Sequence, residues 1–145
     1  MDQPTITAAV IISRSEAMQD ACAAMYRQLA TRFAAQAEDL TAFAERCERN
    51  KVQIVRTYQE TVSDALETNF AFGGLALPDP LDTSGALQAS DWQTAASEAV
   101  AIEETVIAFY DQVAEASESL LATIPSAYRR VVKARRRRIK TLGKL

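Results

Sequence analysis

The sequence predicts an all-α fold of four long helices, arranged as two antiparallel hairpins joined by a long crossover. Three observations predict it. Apolar residues recur at helical spacing in four segments. A single stretch rich in Gly, Pro and apolar residues separates the second segment from the third. The first pair of segments also echoes the second: Met25-Tyr26-Arg27-Gln28-Leu29-Ala30 parallels Phe109-Tyr110-Asp111-Gln112-Val113-Ala114. The length of 145 residues fits one domain, 1–145, with a continuous core.

The first helix is expected from just after Pro4 to about Ala35, with Ile6, Val10, Ala17, Met25, Leu29 and Phe33 near helical spacing. Glu38 and Asp39 suit the first turn of the second, where carboxylates meet the positive end of the helix dipole. This helix carries Leu40, Phe43, Cys47, Ile54 and Tyr58 and fades near Thr68. Residues 69–89 contain Gly73, Gly74, Pro78, Pro80 and Gly85 and are expected to be non-helical. They also carry Leu75, Leu77, Leu81 and Leu87, which predicts an ordered crossover along the bundle rather than a flexible linker. About 20 extended residues reach roughly 65 Å, enough to pass the length of a helix. Ser90 followed by Gln93 is a capping-box pattern that opens a third helix, running to about Leu121. Pro125 suits the first turn of the fourth, and Gly143 is its expected stop.

Composition narrows the function classes. Hydrophobic residues make up 48% and charged residues 24%, a folded rather than a disordered balance. No apolar run approaches the roughly 20 residues that span a bilayer. The N-terminus has Asp2 and no early basic cluster, so no signal peptide is expected and a cytoplasmic location with reduced thiols is. The chain has no histidine, which leaves no imidazole base for a Ser or Cys nucleophile. Gly73-Gly74 lacks the Gly-Lys-Ser/Thr of a phosphate loop. Glu103 and Glu104 point about 100° apart on a helix and cannot act as a paired acid and base. Glu60, Asp64 and Glu67 share a face that reads as solvated.

Charge is divided along the chain. Residues 1–118 hold all 19 acidic side chains and seven basic ones, whereas residues 119–145 hold nine basic and no acidic ones. The last helix is a cation on an anionic body. Either it neutralises that body internally or it meets an external anion. Candidate anion-binding residues are Arg129, Arg130, Lys133, Arg136, Arg137 and Lys140. The external anion could be an acidic protein partner, acidic lipid or nucleic acid; little aromatic interleaving accompanies these residues, so base stacking has weak support and nucleic acid is the less expected.

The strings Glu103-Glu104-Thr105-Val106-Ile107-Ala108-Phe109-Tyr110 and Leu40-Thr41-Ala42-Phe43-Ala44-Glu45 resemble the rubrerythrin family of the ferritin-like superfamily, over nearly the whole chain. The resemblance implies a four-helix bundle with a di-iron centre that reduces peroxide or activates oxygen. In each half, a Glu stands seven residues before a Tyr, and a Glu-x-x-His follows an aromatic in the next helix. Here the six positions are Gln19, Asn50, Gln53, Glu103, Arg135 and Arg138, and only Glu103 retains metal chemistry. An arginine has no acceptor lone pair and does not deprotonate in a protein. The expectation is therefore no metal, no cofactor and no catalytic residue. The chain would be a non-catalytic structural or interaction module, with an alternative as a di-metal peroxidase or oxidase with a modified site.

Arg135 is seven residues from both Tyr128 and Leu142 and falls on their apolar stripe, so it is expected inward. Arg138 is expected beside it, while Arg136 and Arg137 face out; the alternative is that all four are solvated. The inward arginines would balance Glu103 where a metal would otherwise stand. Antiparallel pairing that faces Tyr26 with Phe43 also faces Cys22 with Cys47, predicting a core thiol pair rather than a redox or metal motif. A homodimer is expected, with Leu75, Leu77 and Trp92 helping to form its surface.

Overall fold

The computed structural model describes residues 7–63, 75–117 and 123–145. The described residues are all-helical, with α1 over Ala8–Arg32, α2 over Ala37–Ser63, a short α3 over Ser84–Gln88, α4 over Trp92–Ala116 and α5 over Thr123–Leu142.

The helix ends follow from local chemistry. Thr7 caps α1, its hydroxyl accepting from the Val10 N–H at 3.3 Å. That helix stops at Arg32, three residues short of the expected end. Phe33 leaves the helical region at φ −118°, ψ 81°, and a single 3₁₀ turn over Ala34–Gln36 leads into α2. Glu38 and Asp39 do occupy the first turn of α2. The cap of α4 is Asp91 and not Ser90: the Asp91 carboxylate accepts from the Thr94 N–H at 2.8 Å and from its hydroxyl at 3.1 Å. A carboxylate offers two oxygens and a charge to the helix dipole, which a serine hydroxyl does not. α4 ends at Ala116, where the Ser117 N–H bonds back to the Val113 carbonyl. The expected continuations of α2 to Thr68 and α4 to Leu121 lie outside the described residues.

The described part of the crossover, 75–89, is ordered along the bundle. It also contains the turn of helix α3, in a segment whose composition predicts no helix. Asp82 starts that turn by accepting from the Ser84 N–H and hydroxyl. Arginines of α1 hold the crossover at two levels: Arg14 donates to the Pro78 carbonyl, and Arg32 to those of Leu87 and Ala89. Leu75, Ala86 and Ala89 are buried, and Leu77, Leu81 and Leu87 pack half-buried on the core. This bears on the expected homodimer. Leu75 lies inside the chain's own core, Leu77 and Trp92 lean on it, and the Trp92 ring meets Phe33 edge-on at 5.5 Å. The exposed large apolar residues among those described are Val10 and Val52.

Cross-helix contacts set the directions. Arg27 pairs with Glu48 and Asp20 with Lys51, so α1 and α2 run antiparallel. Tyr110 meets Tyr128 while Glu103 meets Arg138, so α4 and α5 do likewise. Ser15 meets Tyr128 while Gln19 meets Arg135, so α1 and α5 are parallel. The core between them is built from Ile11, Met18, Met25 and Leu29 of α1, Leu40, Phe43 and Ile54 of α2, Val106 and Val113 of α4, and Val131, Val132 and Leu142 of α5. Each large apolar side chain so buried contributes about 1.5–3 kcal/mol. The largest fully buried side chains, however, are Arg135 and Arg138, ahead of Tyr26, Tyr110 and Tyr128.

Candidate functional site

Two guanidinium groups at the centre of an apolar bundle require an acceptor, and α4 supplies one. Glu103 is 0% exposed and is held from three sides. Arg135 Nη1 donates to its Oε2 at 2.6 Å, Arg138 Nη1 to its Oε1 at 2.9 Å, and the Tyr26 hydroxyl to its Oε1 at 2.6 Å. The spacing of α5 brings the two arginines to one carboxylate. Tyr128, Val131, Val132, Arg135, Arg138 and Leu142 form a buried stripe at three- and four-residue intervals, and the arginines occupy two of its positions.

Second partners hold each guanidinium. Arg135 Nη2 donates to Gln19 Oε1 at 2.7 Å. The Gln19 amide is oriented in turn, its Nε2 donating to the Tyr110 hydroxyl at 3.0 Å. Tyr110 donates to the Ser15 carbonyl at 3.1 Å, and the Ser15 hydroxyl contacts the Tyr128 hydroxyl at 2.7 Å while donating to the Ile11 carbonyl. A polar chain therefore runs through the core from Tyr128 to Glu103. Aromatic faces line it: Arg135 lies 5.9 Å from the Tyr110 centroid, and Arg138 lies 5.8 Å from Tyr26 and 5.7 Å from Phe43. The thiols close the far side, with Cys22 Sγ 3.7 Å from Arg135 Nη1 and Cys47 Sγ 3.4 Å from Arg138 Nη1. Both cysteines are free and buried.

The electrostatics fix the protonation states. Burial pulls the Glu103 carboxyl upward, but Arg135 and Arg138 more than offset it and leave it below the usual carboxylate value. Burial disfavours the charge on both arginines, and Glu103 outweighs that, so both remain guanidinium. Burial pushes the Cys22 thiol up to about 12 and the Cys47 thiol also upward, so both are neutral. Tyr26, Tyr110 and Tyr128 are raised by burial as well. The cluster thus holds one negative and two positive charges, a surplus of +1.

This arrangement limits the chemistry. A carboxylate clamped by two cations is a poor base near neutral pH. A metal ion at Glu103 would have to displace a guanidinium and then sit beside both. Among the described residues, no group of three or more His, Cys, Asp or Glu side chains is placed to hold a metal. Thiols kept protonated are weak nucleophiles. The surface clefts around Trp92 and Leu145, Pro78 and Thr105, Glu48 and Gln53, and Val10 and Leu77 do not include Glu103, Arg135 or Arg138 in their linings.

Of the positions marked in the sequence, Gln19, Glu103, Arg135 and Arg138 meet in one hydrogen-bonded cluster, with Cys22 and Cys47 against it. Asn50 makes no hydrogen bond to it and is half-buried, with a buried Nδ2 that has no partner. Gln53 stands outside it, exposed in the cleft with Glu48 and Val52. Six residues along α2 from the inward Cys47 rotate Gln53 by about 240°, whereas seven bring Ile54 back to the core. The polar roles of Ser15, Tyr26, Tyr110 and Tyr128 are not evident from sequence. The heptad spacing of Tyr128 and Arg135 puts both on one stripe, but nothing local marks a buried tyrosine as a hydrogen-bond donor.

The solvent side of α5 carries Arg129, Arg130, Lys133, Arg136, Arg137 and Lys140, of which Arg130, Lys133, Arg136, Arg137 and Lys140 extend its cationic surface beyond the buried pair. Arg136 pairs with Asp111 of α4 at 3.1 Å. No helix among the described residues is long and apolar enough to cross a membrane. Comparison with protein-family models, curated proteins and solved structures found no match to this chain.

Proposed function

We propose that the chain is a ferritin-like, rubrerythrin-like bundle whose di-iron centre has been replaced by an Arg–Glu–Arg clamp, and that it acts as a non-catalytic structural or interaction module. The observation that carries this reading is the state of Glu103. Its oxygens, which the family resemblance would assign to metal, accept instead from Arg135, Arg138 and Tyr26. Two features support the reading. The helix directions are those expected of two hairpins joined by a crossover along the bundle. Four of the six positions that the resemblance marks, Gln19, Glu103, Arg135 and Arg138, are joined by hydrogen bonds.

The replacement has a physical logic. Several buried carboxylates with no metal would repel one another severely. Exchanging two of them for amides at Gln19 and Asn50 and adding cations at Arg135 and Arg138 removes that repulsion. A buried ion cluster of this kind adds little net stability but fixes the alignment of the helices that contribute to it.

The experiment is metal quantification on protein expressed in iron- and manganese-supplemented medium and purified without chelator. The expected result is metal far below one ion per chain. Stoichiometric iron or manganese would favour the competing reading, a di-metal oxidoreductase with a modified site, for which Glu103 is the sole retained ligand.

A second reading has its own observation. Arg130, Lys133, Arg137 and Lys140 are exposed and spaced by three, four and three residues, so they form one cationic stripe along α5. This suits an acidic protein partner better than the homodimer, whose expected apolar surface is largely taken up by the chain's own core. Charge reversal at Lys133 and Arg137 should abolish a salt-sensitive interaction of this kind while leaving the fold intact.

A further inference from the structure

The clamp satisfies Glu103 but not the arginines. Arg138 Nη1 serves both Glu103 and Cys47, while Arg138 Nε and Nη2 have no partner, although the residue is 1% exposed. Those two nitrogens share one edge of the guanidinium plane, and their N–H bonds point the same way. This is the fork that grips a carboxylate or another anion through two parallel hydrogen bonds. Arg135 Nε, on a side chain that is 0% exposed, also lacks a partner, as does the buried Asn50 Nδ2.

Three of these donors belong to α5 and the fourth to α2, the helix packed against it. α2 runs antiparallel to α5, and Cys47 meets Arg138. Three residues on along α2 is Asn50, and three residues back along α5 is Arg135, so the same register brings Asn50 to the level of Arg135. No described acceptor faces any of the four. The cluster also carries one positive charge more than its carboxylate balances. An uncompensated buried charge is among the most destabilising features a core can contain. One occupant would answer both problems: it must accept hydrogen bonds, carry a single negative charge and be small.

We propose that the α2–α5 seam beside Arg138 is an internal binding site for a small monovalent anion, a halide or a planar oxyanion such as nitrate or formate, gripped by Arg138 Nε and Nη2 and flanked by Arg135 Nε and Asn50 Nδ2. Small size follows from the near-complete burial of both arginines, and single charge from the surplus of one. A water molecule in the fork would accept the same bonds but leave the charge unbalanced. The inference stands on the clamp and does not require the ferritin-like reading.

The test uses the full chain, exchanged into sodium gluconate, whose anion is too bulky for the seam. It is then titrated with sodium chloride, nitrate or formate at constant ionic strength. The melting temperature of the wild type should climb with the logarithm of the small-anion concentration, as for any ligand that binds only the folded state. Arg138→Lys keeps the charge but loses the fork and should flatten that response. Equal responses from the two proteins would mean a general salt effect and overturn the site. Because the variant could fail to fold, wild-type crystals soaked in bromide give an independent readout. The expected result is an anomalous peak within hydrogen-bond distance of Arg138 Nε and Nη2. A water there in place of bromide would overturn the proposal, as would a bromide peak with no response in solution, which is binding at crystal concentration only. A thiolate absorbance near 240 nm in gluconate at neutral pH that disappears in Cys47→Ala would also overturn it, by assigning the missing charge to the protein. A metal-free protein without a bromide peak would sink the anion site and leave the proposed function standing.

Discussion

Replacing Glu103 by Gln removes one charge and almost no volume, yet it should be among the most damaging single substitutions available in this chain. Among the described residues, Glu103 is the one carboxylate paired with the two guanidinium groups, and all three side chains are at most 1% exposed. The substituted amide still offers one carbonyl oxygen, but it leaves two buried cations facing each other. Removing one member of a buried ion cluster costs about 3–5 kcal/mol. With a domain's total stability at about 5–15 kcal/mol, that is a large share of the whole. For a chain of this size it corresponds to roughly 10–15 °C in melting temperature, at about 3 °C per kcal/mol. Urea unfolding followed by circular dichroism at 222 nm would register it as a midpoint lower by about 2 M, for a slope of about 2 kcal/mol per molar. A triple variant, Glu103→Leu with Arg135→Met and Arg138→Met, removes every charge together and should return to within about 1–2 kcal/mol of the wild type. A Glu103→Gln loss below about 0.5 kcal/mol, the range of an ordinary surface change, would refute the reasoning. If the triple variant were as unstable as the single one, packing rather than unbalanced charge would be the cause.

Other outcomes follow from the same cluster. Glu103 titrates below its ordinary value of 4.5 when folded, so as pH falls the unfolded chain takes up the proton first. The stability gap between wild type and Glu103→Gln should therefore be full above pH 4.5 and narrow as pH drops below it, as measured by urea midpoints across that range. Tyr26→Phe removes a charge-assisted hydrogen bond and should cost about 1.5–3 kcal/mol, whereas Tyr128→Phe removes a neutral bond to Ser15 and should cost about 1 kcal/mol. With the Cys22 thiol raised from 9.0 to about 12 by burial, the unfolded chain loses that proton first, so stability should decline as pH climbs through this interval. Both thiols should be silent towards a disulfide reagent at about pH 8 in the native protein and titrate fully in urea; rapid native reaction would contradict their burial.

The helices and the position of Arg135 on the apolar stripe are legible in the sequence for a common reason: both are periodic. Tyr128, Arg135 and Leu142 repeat by sevens, which sets Arg135 on the apolar stripe, and the Glu103 carboxylate supplies the partner that lets it stay buried there. The facing of Cys22 and Cys47 follows from antiparallel register, the same register that sets the Tyr26 and Phe43 rings 5.4 Å apart. Gln53 shows where such reasoning fails. The ligand spacing of a family resemblance points it inward, and helical rotation carries it to the surface while Ile54 takes the core. The α4 cap falls on Asp91 rather than Ser90 because the two candidates are adjacent and only backbone geometry separates them. The hydrogen bonds of Ser15, Gln19 and Tyr110 are illegible because they join helices far apart in the chain. The turn of helix α3 rests on a local Asp82–Ser84 contact inside a segment whose composition points the other way.

The claim that a guanidinium clamp stands where a metal centre would be expected is tested most directly by a crystal structure of protein from iron-rich culture, with anomalous data collected at the iron edge. The predicted result is Arg135 and Arg138 nitrogens within hydrogen-bond distance of the two Glu103 oxygens and no anomalous peak near that carboxylate. An iron peak bound to Glu103, with either arginine swung away, would contradict it.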